Sequence, residues 1–167
     1  MGNIFAGSEI VELGIQIEKN GRDFYKTLVQ HSKELASKQA ENGDKIKEVF
    51  QYLAGEEEKH IAVFKKILDS VQKYDPPEAY PGEYFAYMNA LAGDYIFTQK
   101  DKGSQVAKNI TNSKDAVELG IRFEKDSIIF YEGMKKAVPD YGHKLVDELI
   151  LQEQSHLRQL SDLKNIL

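Results

Sequence analysis

The sequence of 167 residues contains no cysteine. That excludes disulfides, thiolate metal sites, iron–sulfur clusters and a cysteine nucleophile within this chain. Proline is almost as scarce: Pro76, Pro77, Pro81 and Pro139 are the only four, so long stretches run without a helix breaker. No apolar run approaches the ~18 residues of a membrane span, and no basic-then-apolar leader opens the chain. The opening "MGNIFA" starts like a myristoylation site but has Ala6 where Ser or Thr is wanted. Positive charge is not in excess, and a net charge of −5 disfavours a nucleic-acid partner. The expectation is a cytoplasmic protein with neither nucleic acid nor membrane as partner. What remains is ordinary: 41% hydrophobic and 29% charged residues, enough chain for one domain (1–167) with a real core.

The proline-free stretches carry helical periodicity. Residues 8–37 place Ile10, Ile17, Leu28 and Leu35 on one side, with Ser8 as N-cap. Residues 44–73 align Phe50, Leu53, Phe64 and Ile67; residues 113–137 align Ala116, Phe123 and Met134; residues 140–164 align Leu149, Leu160 and Leu163. Four long amphipathic helices must bury their stripes against one another, which predicts an all-α four-helix bundle. The links "SKQAENGD" and "AVPDYG" are short, so each flanking pair forms an antiparallel hairpin. The crossover at 74–112 is long enough to run back along the bundle. Its "EYFAYMNALAGDYIF" sets Tyr84, Met88, Leu91 and Tyr95 at helical spacing, which predicts a short extra helix packed on the bundle or on a dimer partner.

The two hairpins are copies. "VELGIQIEKNGRDFY" (11–25) and "VELGIRFEKDSIIFY" (117–131) agree at nine of fifteen positions, and each precedes a helix holding Glu-x-x-His. In the second helix of each copy the seam reads Leu53, Glu57, His60, Phe64, Ile67 and Leu149, Glu153, His156, Leu160, Leu163. The steps of four and three are those of a buried face, so Glu57, His60, Glu153 and His156 interrupt core. Glu56, Glu58 and Lys59 fall off that seam and are expected in water. The first helix of each copy adds Glu18 and Glu124 on its apolar face. No lysine or arginine lies on these stripes, and four buried carboxylates cannot stay ionised unaided. Two divalent ions would balance them. One Glu from each of two helices, with Glu-x-x-His from each of the other two, is the ligand pattern of di-iron and di-manganese carboxylate bundles. His31 and His143 lack this setting and are expected at the surface. Tyr25 and Tyr131 lie two turns beyond Glu18 and Glu124 on the same face. They could hydrogen-bond a ligand carboxylate, donate a proton, or simply fill core. Gly14 and Gly120, one turn before the glutamates, could open access to metal or allow close helix packing.

On "IEKNGRDFY", "EEEKH", "FEKDSIIFY" and "EQSH" the sequence resembles the ferritin-like superfamily, and within it the rubrerythrin-type proteins, over about residues 8–164. The resemblance implies metal ligands at Glu18, Glu57, His60, Glu124, Glu153 and His156, with Glu57 and Glu153 placed to bridge two ions. Two departures matter. Rubrerythrins usually carry a rubredoxin domain with four cysteines; none is present here, so the electron donor is expected to be a separate rubredoxin-like protein. They also tend to have a second glutamate three residues after the third-helix ligand, where this sequence has Ser127. The expected cofactor is a pair of iron ions, although manganese or zinc suits the same ligands. The expected function is reduction of hydrogen peroxide or O₂ by a homodimer. The alternatives are iron sequestration with ferroxidase activity, and a metal-free structural adaptor.

Overall fold

The computed structural model describes residues 7–36, 42–71 and 82–167. Pro76, Pro77, Pro81, Ala6 and most of the first link lie outside the described residues, as do the expected helix ends at 37 and 72–73. Seven α-helices and no strand occur among the described residues: α1 (Gly7–Gln30), α2 (Ser32–Ala36), α3 (Gly43–Val71), α4 (Glu83–Asp94), α5 (Lys102–Lys108), α6 (Ser113–Met134) and α7 (Asp140–Lys164). None is long and apolar enough to cross a membrane.

The four long helices are α1, α3, α6 and α7, and their apolar stripes meet as the periodicity requires. Ile10, Leu28, Phe50, Leu53, Phe64, Ala116, Met134 and Leu160 are all fully buried. Each large aliphatic or aromatic side chain so placed contributes about 1.5–3 kcal/mol. Residue pairs fix the directions. Arg22 bonds Glu58 while Gly14 faces Phe64, so α1 and α3 are antiparallel. Lys164 pairs with Glu118 and Lys135 with Asp147, so α6 and α7 are antiparallel too. Between the hairpins, Tyr25 meets Glu124 and Tyr131 meets Glu18, which sets α1 against α6. Hence α1 and α7 run one way and α3 and α6 the other. The end of α3 and the start of α6 lie at opposite ends of the bundle. Ser113 Oγ bonds the Leu35 carbonyl at one end, and Tyr141 bonds the Ser70 carbonyl at the other. The crossover therefore spans the bundle's length, roughly 40 Å for a helix like α3.

Several boundaries differ from those the sequence predicts. Ser8 is not the N-cap: the helix already includes Gly7, which is buried, so Ser8 stands inside the first turn. The first helix breaks at His31 and resumes as α2, whose Leu35 is turned inward and buried. The third ends at Met134 and tightens into a 3-10 turn over Lys135–Ala137. Pro139 requires an extended residue before it, and Val138 is extended. The crossover holds more than one short helix. Among its described residues α4 is capped by Tyr95 and followed by a 3-10 turn at Ile96–Thr98 and by α5. Of its aromatics, Tyr84 and Tyr95 pack on the bundle, donating to the carbonyls of Gly133 and Phe123 on α6.

A single buried side chain fastens the second half of the crossover. Asn20 on α1 donates to the carbonyls of Phe97 and Gln99, both at 2.6 Å, and its oxygen accepts from the Gly103 amide at 2.9 Å. This uses both amide protons and one lone pair of Asn20. It also draws α5 so close to α1 that a Cβ on Gly103 would lie 1.9 Å from the Asn20 carbonyl oxygen. Backbone cannot retreat as a side chain can. Gly103→Ala is therefore expected to lose about 2–3 kcal/mol in denaturant unfolding. Gly55 on α3 has nothing near its would-be Cβ, so Gly55→Ala should gain about 0.5–1 kcal/mol. Equal effects would contradict the close approach.

Candidate metal centre

The Glu-x-x-His spacing puts both side chains of each motif on one helix face. In the fold all six predicted ligand residues converge. Glu18, Glu57, His60, Glu124, Glu153 and His156 are each no more than 4% exposed. They form two overlapping sets. Glu18, Glu57, His60 and Glu153 offer ligand atoms all within 4.8 Å of one another, and so do Glu57, Glu124, Glu153 and His156. Glu57 and Glu153 belong to both sets, the positions of bridges. The two imidazoles lie nearly parallel, ring centres 5.4 Å apart.

The electrostatics are those of a crowded anionic interior. Burial first, and then the charges of Glu18 and Glu153, hold the Glu57 carboxyl well above its ordinary range. Burial and Glu153 do the same to Glu124. Burial also works to raise Glu153, but the hydrogen bond of His156 and the charge of His60 prevail and keep it below its ordinary range. For the histidines burial disfavours the cation, yet the carboxylates around them win: His60 is raised, and His156 is pushed up to about 11. Glu153 Oε1 lies 2.9 Å from His60 Nδ1, but that nitrogen is also engaged with Glu18 Oε2 at 3.2 Å. The oxygen is left buried without a hydrogen-bond partner. Among the described residues no lysine or arginine is buried to offset these charges. An orphaned carboxylate oxygen beside three more carboxyls and two imidazoles is a donor set that fits a pair of divalent ions. Two dications neutralise four carboxylates with both imidazoles uncharged.

The tyrosines are placed across the bundle rather than along their own helices. Tyr25 donates to Glu124 Oε1 at 2.5 Å, and Tyr131 donates to Glu18 Oε1. Burial, then the neighbouring carboxylates, push both phenols well above their usual range, so both keep their protons. Gly14 and Gly120 serve close packing: a Cβ at Gly14 would meet Phe64, and one at Gly120 would meet Leu160 and the Tyr25 hydroxyl. His31 and His143 are part-exposed and pair with Glu34 and Asp140. Glu58 and Lys59 are in water as expected, but Glu56 is not: its side chain is only 15% exposed. Its near-burial follows from its place over the histidine pair.

Three residues near the cluster escape stripe reasoning. Gln152 presents Oε1 at 2.7 Å from His60 Nε2, which fixes that ring from outside. The repeat register could have found it, because it occupies the place in its copy that Glu56 has in the other. Tyr95 comes from the crossover, and its hydroxyl lies 2.8 Å from Ser127 Oγ. These two border a cavity of about 10 Å³ that also touches Tyr25, Glu57 and Glu124, room for a water-sized molecule.

With this geometry in hand, three comparisons bear on kinship. The sequence model of the rubrerythrin family matches residues 9–164. Among solved structures, a Thermotoga maritima protein described as ferritin-like and diiron-carboxylate superposes with a TM-score of 0.66. It shares 26% sequence identity, over 99% of this chain and 98% of that one. No curated protein matches at a significant level.

Metal binding must displace protons here. A ligating imidazole has to be free of its second proton, and both histidines hold theirs at neutral pH. Loading two divalent ions should release at least two protons, with apparent affinity rising with pH by about tenfold per proton per unit. Calorimetric titration with Zn(II) in buffers of different ionisation enthalpy measures the number. The His156 contribution to the metal-free fold is complete below about pH 6.5 and is lost as pH rises through about 11. Zinc binding without proton release would contradict the electrostatic picture.

Proposed function

The chain belongs to the rubrerythrin family, a group of ferritin-like diiron proteins, and on that premise we propose that it reduces hydrogen peroxide, or O₂, at a dinuclear iron centre held by Glu18, Glu57, His60, Glu124, Glu153 and His156. The observation that carries this reading is the pair of four-residue ligand sets sharing Glu57 and Glu153. Shared carboxylates would hold two ions close together, as dinuclear sites do at ~3.5–4 Å. Imidazole with carboxylate suits iron in redox work.

Reduction of one peroxide consumes two electrons and two protons and yields two waters. Two ferrous ions, when bound, supply the two electrons. The protein's own residues handle the rest. Tyr25 holds a proton against Glu124 and Tyr131 holds one against Glu18, so each half of the centre has one phenol as a proton reserve. Both phenols and all four carboxyls are buried from bulk water, and the small cavity beside Glu57 and Glu124 has room for a water-sized molecule. With no cysteine in the chain to carry electrons, a separate rubredoxin-like partner would return the centre to its reduced state. We place the protein in the cytoplasm as a homodimer.

Anaerobic loading with Fe(II) is expected to give two ions per chain, reoxidised faster by peroxide than by O₂ in stopped-flow. Faster reoxidation by O₂ would favour a ferroxidase in iron sequestration instead. Tyr25→Phe and Tyr131→Phe should keep both ions yet slow the peroxide reaction, by about a hundredfold if proton supply limits it. Unchanged rates would remove the tyrosines from the mechanism.

A further inference from the structure

The crossover helices pack on α1 and α6, and the seam between α3 and α7 lies on the other side of the cluster. There the two stacked imidazoles are the last buried layer. Above them stand Glu56, 15% exposed, with Lys59 Nζ at 2.5 Å from its Oε1, and the half-exposed Tyr52, whose ring meets His156 edge-on. The amide of Gln152, at the surface, touches His60. A Glu56 carboxylate oxygen and a ring nitrogen each of His60 and His156 lie within 4.8 Å of one another. Two histidines and one carboxylate are a ligand set for Fe(II), Zn(II) or Co(II).

We propose that Glu56, His60 and His156 form a third, outer divalent-cation site through which metal passes from solvent to the dinuclear centre; this rests on the reading of that centre given above. The orientation of the rings supports it. In both, Nδ1 faces the inner carboxylates, at 3.2 Å from Glu18 for His60 and 3.1 Å from Glu153 for His156. The opposite nitrogen of His60, Nε2, lies 2.7 Å from Gln152 Oε1 on the outer side. Both imidazoles also belong to the inner ligand sets, so a cation held with Glu56 competes with the inner ions for them. The site is therefore open while the centre is empty, as a site of passage must be. The position also explains a carboxylate that is neither in the core stripe nor in water: one Glu56 oxygen lies within 4.8 Å of a ring nitrogen of each histidine.

The test follows Co(II) uptake by the metal-free full-length chain, using visible absorption in stopped-flow. Glu56→Gln should slow uptake at least tenfold while leaving the endpoint at two ions per chain and the equilibrium affinity within twofold. Lys59→Gln, which releases the carboxylate, should speed uptake. In a chain carrying Glu18→Ala and Glu124→Ala, one Co(II) should remain bound and be lost when Glu56→Gln is added. Wild-type uptake rates in Glu56→Gln, with two ions at the endpoint, would overturn the outer site alone. A wild-type chain that takes up no cobalt would overturn the dinuclear reading with it.

Discussion

Four carboxyl groups enclosed together in a bundle interior repel one another, and burial withdraws the water that would screen them. In this protein the repulsion is legible residue by residue. Glu57 and Glu124 are held toward their neutral forms, Glu153 is kept charged chiefly by two imidazoles, and one of its oxygens has no hydrogen-bond partner. The protein offers no buried lysine or arginine among its described residues to relieve this. Uncompensated buried charge costs several kcal/mol per ion. A pair of divalent cations would remove that cost, and the side chains are already arranged to receive it.

The rest of the architecture serves that constraint. Duplicated hairpins place one glutamate and one Glu-x-x-His on each side of a pseudo-twofold axis, so two ions find matching ligands. Antiparallel packing of α1 on α6 lets each tyrosine reach the glutamate of the other repeat, tying the hairpins together at the level of the site. The crossover covers the α1 and α6 side, fastened by Asn20 and completed by Tyr95 over Ser127. The α3–α7 seam is left to the stacked histidines and Glu56. The two sides of the centre thus differ in chemistry although the repeat that built them is nearly symmetric.

Much of this could be read from the amino-acid order, and the parts that could not share a physical cause. Helical periodicity reports which face of a helix is buried, so the four long helices and the inward direction of all six candidate ligand residues are visible in it. It does not report what lies across from a buried residue. The partners of Tyr25 and Tyr131 were therefore open, and the role of Asn20 was invisible because a lone polar residue on a helix reveals nothing of the backbone it meets. Helix α5 has Gly103 and only two apolar positions, too little pattern to detect. The break at His31 has no breaker residue to announce it, and Leu35 beyond it is buried. Glu56, off the stripe, is expected in water, yet a residue beside the stripe at a crowded seam is covered by its neighbours.

The central claim is that cations are what make the buried glutamates tolerable, and the melting temperature of Glu57→Leu beside that of wild type, each with and without added Zn(II), tests it most directly. Without metal, the leucine should stabilise the fold, because a desolvated acid is replaced by an apolar group in contact with core. With zinc, wild type should gain several degrees and overtake the variant, which should gain far less. A wild-type chain that melts above Glu57→Leu without metal and gains nothing from zinc would contradict the account.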